Sequence, residues 1–333
     1  MRCHHGEGGT PDAARGRGWS RIHVDVEAAA GAIAGRLHRT PLLSSETLGA
    51  RCGGRTFLKA ELFQKTGSFK ARGVLTKLAS LTADEKAHGV ISISAGNHAQ
   101  ALAWASAREE IDCLLVTWRD ASPLKVAATR GYGATVDQEA ADHLEAFARV
   151  RELQRQSGRT LVHPFDDPLV VAGQGTVGLE IAKDLPDVDI VVAPVGGGGL
   201  VSGIATALTG KRIVSVEPEG SAALHMALEA GKPIEFAPKS VADALNAPVA
   251  GELPRQICAE LGVESILITD DDVRAGFRFL YERAKLAAEP GAAAGVGALL
   301  AGKVPDVEGK TVAVVVSGGN VAAETAAAIL KEE

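Results

Sequence analysis

No two of the four cysteines, Cys3, Cys52, Cys113 and Cys258, are close enough to form a Cys-x-x-Cys pair. This argues against a zinc site or a disulfide framework and reads as the reduced thiols of a cytoplasmic protein. Charge is not concentrated either: the net charge of -6 is spread along the chain without a basic block, so neither nucleic acid nor an anionic membrane is expected as a partner. Nowhere do about eighteen apolar residues run on without a charge or a glycine, and no apolar core follows the basic residues near the start. The sequence therefore offers neither a membrane span nor a secretory signal. It also has no proline- or serine-rich linker, no internal repeat and no low-complexity tract beyond alanine-rich helices.

What remains is a globular composition, 46% apolar and 23% charged over 333 residues, enough for two domains or one large one. Residues 1–20 carry two histidines and five glycines without apolar periodicity and are predicted to be a disordered arm. From Ile22, the spacing of Val24, Val26, Ala29, Ile33 and Leu37 predicts a helix that His38-Arg39-Thr40-Pro41 stops. Thereafter apolar runs alternate with helical patterns. Strands are predicted at residues 55–59, 90–93, 113–116, 134–136, 160–162, 189–192, 212–216, 265–268 and 311–316. Strands this uniformly apolar, each followed by a helix, specify parallel sheets covered on both faces. The fold class is thus α/β with two parallel-sheet domains, the smaller (81–162) inserted in the larger (21–80 and 163–333).

Four turns carry the chemistry. In Lys65-Thr66-Gly67-Ser68-Phe69-Lys70-Ala71-Arg72-Gly73, a single lysine stands at a helix start, with Thr66 or Ser68 in position to cap it. Val195-Gly196-Gly197-Gly198-Gly199-Leu200 follows an apolar strand and precedes a helix, so its backbone N–H groups can cradle a phosphate. Ser94-Ala95-Gly96-Asn97-His98 offers a second anion loop and a neutral amide, with His98 either packed or catalytic. Ser317-Gly318-Gly319-Asn320 adds a hydroxyl that could meet a ring nitrogen. Gly173-x-Gly175-x-x-Gly178 matches a dinucleotide-binding pattern, but Asp187 and Asp189 lie at the wrong end of the following strand, so these glycines read as helix-packing positions.

A phosphate cup, an amine, an amide and hydroxyl for a heteroaromatic ring, and an anion loop for an amino-acid carboxylate together fit pyridoxal 5'-phosphate. With His163-Pro164-Phe165-Asp166-Asp167, Ala172 to Thr176 and Val216-Glu217-Pro218, the motifs resemble the threonine/serine dehydratase branch of fold-type II pyridoxal-phosphate enzymes, which also contains serine racemase. The resemblance implies that Lys70 is the covalent anchor and the base that removes the α-proton. It implies that Gly196, Gly197, Gly198, Gly199 and Leu200 hold the phosphate, that Phe69 packs beside the ring, that Asn97 bonds its 3'-oxygen, and that Ser317 faces the pyridine nitrogen. Ser68 and the stretch Ser94, Ala95, Gly96, Asn97, His98 would bind substrate.

The implied reaction is β-elimination from L-threonine or L-serine, giving 2-oxobutanoate or pyruvate plus ammonia, in a cytoplasmic homodimer or homotetramer. Similar racemases place a serine where this chain has Ala95, which favours dehydration. A divalent-cation site in some relatives uses a glutamate matching Glu217 and an aspartate near Ala223, and the missing second carboxylate argues against a metal here. Leu62-Phe63 stands for the more usual Asn-Leu and is expected to reshape the substrate side. Only a helix follows Ser317, so feedback through a C-terminal regulatory domain is not expected. Racemisation, β-replacement, or dehydration of 3-hydroxyaspartate or phenylserine would use the same cofactor residues. A non-catalytic binding protein would be expected to lose Lys70 or the glycine cup. Asp243 to Ala247 is a candidate wall of the substrate pocket.

Overall fold

The computed structural model describes residues 24–331; the arm expected at 1–20 lies outside them. Among the described residues, ten strands form two sheets. β1 (Leu42–Ser44), β2 (Arg55–Ala60), β7 (Ile190–Pro194), β8 (Arg212–Pro218), β9 (Glu264–Ile268) and β10 (Thr311–Val316) make a six-stranded sheet in the order β1-β2-β10-β7-β8-β9. β3 (Val90–Ile93), β4 (Cys113–Trp118), β5 (Thr135–Ala140) and β6 (Thr160–Leu161) make a four-stranded sheet in the order β5-β4-β3-β6. All pairings are parallel except β1 with β2. That antiparallel edge strand is too short for a periodic signal. β5 runs on through Asp137, Gln138 and Glu139 beyond its apolar start because an edge strand need not be buried on both faces.

The first helix is shorter than expected, Val26–Ala32, with Asp25 accepting from the Ala28 N–H; the chain turns at Gly35 in the left-handed region. Val26, Ala29 and Ile33 are buried as their spacing requires. The three glycines of the dinucleotide-like pattern lie inside the helix Pro168–Asp184 rather than at a strand-to-helix turn. A Cβ at Gly175 would come 2.7 Å from the Gly203 carbonyl, and one at Gly178 would come 2.9 Å from the Ala207 Cβ. They let this helix pack directly on the helix Gly199–Ala207. No helix among the described residues is long and apolar enough to cross a membrane.

Strand order explains why distant motifs meet. β2, β10 and β7 are adjacent, with Val316 beside Ala60 and Val314 beside Val192. The lysine, serine and glycine loops that follow them therefore leave the same edge of one sheet side by side, at the carboxyl ends of parallel strands where α/β folds bind ligands. β3 delivers the Ser94–His98 loop from the second sheet toward the same crevice.

Candidate functional site

A cavity of about 360 Å³ lies at this crevice. Its wall includes Phe69, Lys70, Ser94 through His98, Gly196 through Leu200 and Ser317, together with Asp243 through Pro248. The four predicted loops and the candidate substrate wall thus converge. Ser68 does not reach the wall: it is fully buried, pairs with Gly318 in a backbone bridge, and its hydroxyl has no hydrogen-bond partner among the described residues. Leu62 and Phe63 are also absent from the wall, and the Phe63 side chain stands half exposed.

The lysine loop is held by backbone pairing rather than by a side-chain cap. The N–H of Phe69 donates to the Ser317 carbonyl at 3.1 Å and that of Gly319 to the Gly67 carbonyl at 2.9 Å. Phe69 occupies the N-cap position of the helix Lys70–Ala79 with no side-chain hydrogen bond. Thr66 cannot serve, because it and Gly67 adopt left-handed conformations, φ 60° and 73°, that turn the chain before the helix begins. This turn points the Lys70 amine into the cavity, where Nζ donates to the Pro164 carbonyl at 2.8 Å. Burial lowers the amine's pKa to about 8, partly opposed by the carboxylate of Glu289. A substantial neutral fraction near physiological pH is what a nucleophile and base requires.

The glycine loop is shaped by its neighbours. Gly198 adopts φ +93° and opens the helix Gly199–Ala207, while a Cβ on Gly197 would overlap the Phe165 ring. Phe165 in turn packs edge-on against His163 with ring centroids 4.7 Å apart, so the His163–Phe165 segment buttresses the cup. The N–H groups of Gly196 through Leu200 donate to no protein acceptor among the described residues. Five free donors at a helix start form an anion cup. Gly197→Ala should therefore push the loop off Phe165, at a cost of about 1–3 kcal/mol of packing strain. We expect cofactor affinity to fall about tenfold or more, measured by absorbance titration of the apoprotein with pyridoxal 5'-phosphate.

The Ser94–His98 loop presents the N–H groups of Ala95, Asn97 and His98 without acceptors among the described residues. His98 itself is structural: Nε2 lies 3.0 Å from Ser92 Oγ and 3.1 Å from the Val162 carbonyl. Burial, reinforced by the nearby Lys70 charge, lowers its pKa to about 3, so it stays neutral. Asn97 is fixed at both ends of its amide, with Nδ2 donating to Glu289 Oε1 at 2.7 Å and Oδ1 accepting from Asn320 Nδ2 at 2.8 Å.

Glu217 does not line this cavity. Its carboxyl accepts from the N–H groups of Leu224 and His225, both at 2.8 Å, at the start of the helix Ala223–Ala230. No group of three or more His, Cys, Asp or Glu side chains among the described residues is placed to hold a metal.

Motif reading missed Glu289 and Lys125, both on the cavity wall. Lys125, in the helix Pro123–Gly131, pairs with Asp243, which also lines the cavity. Glu289 is only 2% exposed. A signal for it existed, since it is the only charged residue between Lys285 and Lys303, and a lone acid in an apolar run is costly unless it has a purpose.

The model of the family described as "Pyridoxal-phosphate dependent enzyme" matches residues 33–318. An L-threonine ammonia-lyase from Thermotoga maritima is 40% identical over 303 residues, covering 89% of this chain and 75% of that one. Among solved structures, a T.th. threonine deaminase is 40% identical with a TM-score of 0.82, covering 90% of this chain and 98% of that one. A maize serine racemase is 32% identical with a TM-score of 0.87, covering 91% and 96%. With the match spanning both sheets and every loop of the cavity, the chain belongs to the pyridoxal-phosphate-dependent enzyme family.

Proposed function

We propose that this protein is a lyase that eliminates water from L-threonine, L-serine or both, the released aminocrotonate or aminoacrylate then taking up water to give 2-oxobutanoate or pyruvate plus ammonia. The observation that carries the reading is the pairing of a buried Lys70 amine on the cavity wall with Ala95 in the facing loop. One base is thus in place, and the position at which similar racemases carry a serine has no functional group. Similarity to L-threonine ammonia-lyase points the same way.

The residues present fit the cofactor. Five unpartnered N–H groups at Gly196 through Leu200 match a phosphate, and the Lys70 amine lies in the same cavity. When bound, pyridoxal 5'-phosphate supplies an electron-withdrawing ring that stabilises negative charge at the substrate α-carbon. Gly196 through Leu200 would hold its phosphate, Asn97 would meet its 3'-oxygen, Ser317 would face its pyridine nitrogen and Phe69 would pack beside it. The N–H groups of Ala95, Asn97 and His98 receive the substrate carboxylate and so orient the α-proton toward Lys70. Lys70 Nζ takes that proton. Its lowered pKa leaves enough neutral amine for this step at neutral pH. A serine opposite a pyridine nitrogen, unlike an aspartate, does not enforce protonation there, which suits prompt expulsion of a β-hydroxyl.

The chain's organisation is read in the same terms. Residues 81–162, which contain the whole four-stranded sheet, form the small domain inserted between 21–80 and 163–333. The assembly is a cytoplasmic homodimer or homotetramer, a state that light scattering of the purified protein checks directly.

Substrate choice is tested by measuring oxo-acid and ammonia release from L-threonine, L-serine, D-threonine, 3-hydroxyaspartate and phenylserine. We expect L-threonine or L-serine to give the highest kcat/KM and D-threonine to be inert. A kcat/KM for 3-hydroxyaspartate or phenylserine above both would overturn the assignment.

A further inference from the structure

Glu289 is the one fully buried carboxyl on the cavity wall among the described residues. It follows the apolar turn Leu286–Ala288 and precedes Pro290, and its own N–H donates to the Gly318 carbonyl at 3.0 Å. Its main chain is therefore locked to the Ser317–Asn320 loop. A Cβ at Gly318 would collide with Oε1, so the glycine there is what makes room for the carboxyl. Oε1 accepts from Asn97 Nδ2, Asn97 Oδ1 accepts from Asn320 Nδ2, and Asn320 Nδ2 also donates to the Thr66 carbonyl at 2.7 Å. The chain Glu289–Asn97–Asn320–Thr66 joins both sheets to the lysine loop. The second oxygen, Oε2, has no hydrogen-bond partner among the described residues.

We propose that Glu289 is a positioning residue for the cofactor: it fixes the Asn97 amide in one orientation and, by gaining or losing its own proton, changes the charge beside the bound ring. The inference rests on the reading of Asn97 as the partner of the cofactor 3'-oxygen and not on the elimination reaction.

The amide chain supplies the first half of this role. Without an acceptor at Glu289, the Asn97 amide is held from the Asn320 side alone and is free to rotate. The surroundings supply the second half. Burial raises the carboxyl pKa to about 7, the Asn97 hydrogen bond opposes that rise, and the Asp243 carboxylate adds to it. Two cations, Lys125 and Lys70, pull the other way. These groups come from the Ser94–His98 loop, the turn Asp243–Leu245, the helix Pro123–Gly131 and the lysine loop. A group poised near neutrality with one free oxygen is a donor below its pKa and an anion above it.

The test is the visible spectrum of the cofactor-loaded protein as a function of pH, which requires no turnover. Glu289→Gln keeps an oxygen acceptor for Asn97 but cannot ionise, Glu289→Asp keeps the titration, and Glu289→Ala loses both. We expect wild type to show a spectral transition near pH 7. In Glu289→Gln that transition should vanish or move by about one pH unit or more, and in Glu289→Asp it should return. Glu289→Ala should release cofactor about ten- to a hundredfold more readily, the loss of one hydrogen bond to a charged group. Thermal midpoints of the loaded variants separate these effects from misfolding. A Glu289→Gln titration superimposable on wild type, or full cofactor retention by Glu289→Ala, would overturn the proposal. Either failure leaves the threonine elimination reading untouched, because that reading stands on oxo-acid formation.

Discussion

Replacing Lys70 by alanine should remove the visible absorbance of the bound cofactor after dialysis and lower turnover about a thousandfold or more. Loss of a positioned base alone costs about 10²–10⁴, and this residue is also read as the covalent anchor. The fold should survive, because Nζ makes only one hydrogen bond among the described residues, to the Pro164 carbonyl. Removing a buried amine also relieves the desolvation that lowers its pKa. Lys125 is the only other lysine on the described cavity wall. Visible absorbance that persists in Lys70→Ala and disappears in Lys125→Ala would identify the wrong anchor.

The largest stability effect is expected two residues further on. Arg72 is 1% exposed and donates through Nε and Nη2 to both oxygens of Glu61, at 2.8 and 2.7 Å. It also donates to both oxygens of Glu180, at 2.7 and 3.0 Å, and to Thr176 Oγ1 at 3.1 Å. Lys59, fully buried, reaches Glu180 at 2.6 Å and the Thr40 carbonyl at 2.8 Å, and Thr40 Oγ1 donates to Glu61. Two cations and two anions thus balance inside the protein. The network ties β2 and the helix Pro168–Asp184 to the first turn of the helix that carries Lys70.

Arg72→Leu would leave Glu61 buried and without its guanidinium, at a cost of about 3–5 kcal/mol, read as a fall in the urea midpoint. Adding Glu61→Gln should recover part of the loss, since the penalty is the stranded charge rather than the missing bond. A change below about 1 kcal/mol would contradict this account of the network. Lysine is no substitute, because a point charge cannot bridge two carboxylates in a fixed fork.

The same cluster gives a pH dependence of definite sign. Burial pushes the Glu180 carboxyl up, but the hydrogen bonds and charges of Arg72 and Lys59 outweigh it and hold the group below the usual carboxylate range. Its contribution to stability is therefore complete above about 4.3, the ordinary glutamate value. It is lost as pH falls through the lower folded-state value.

Much of this architecture is legible in the sequence because parallel strands are buried on both faces and read as unbroken apolar runs. The strand β10 is the clearest example: all six residues of Thr311–Val316 are buried. The glycine loop is legible too as a strand-to-helix turn, between the strand Ile190–Pro194 and the helix Gly199–Ala207. The substrate residues divide. Asp243 through Ala247 reach the cavity, whereas Ser68, fully buried in a backbone bridge with Gly318, does not. The capping expectation at Thr66 fails because a capping residue needs extended backbone and Thr66 is left-handed. Glu289 is illegible by motif because its partner Asn97 is 192 positions away. Only the fold reveals that a lone acid and a loop asparagine share one hydrogen bond.

The central claim is that Lys70 works without a second acid/base group at position 95, so that proton removal leads to loss of the β-hydroxyl. The most direct measurement incubates the cofactor-loaded protein with L-serine and quantifies pyruvate, ammonia and D-serine in the same sample. Pyruvate and ammonia in equal amounts with no D-serine is the expected result. Accumulation of D-serine without pyruvate would contradict it.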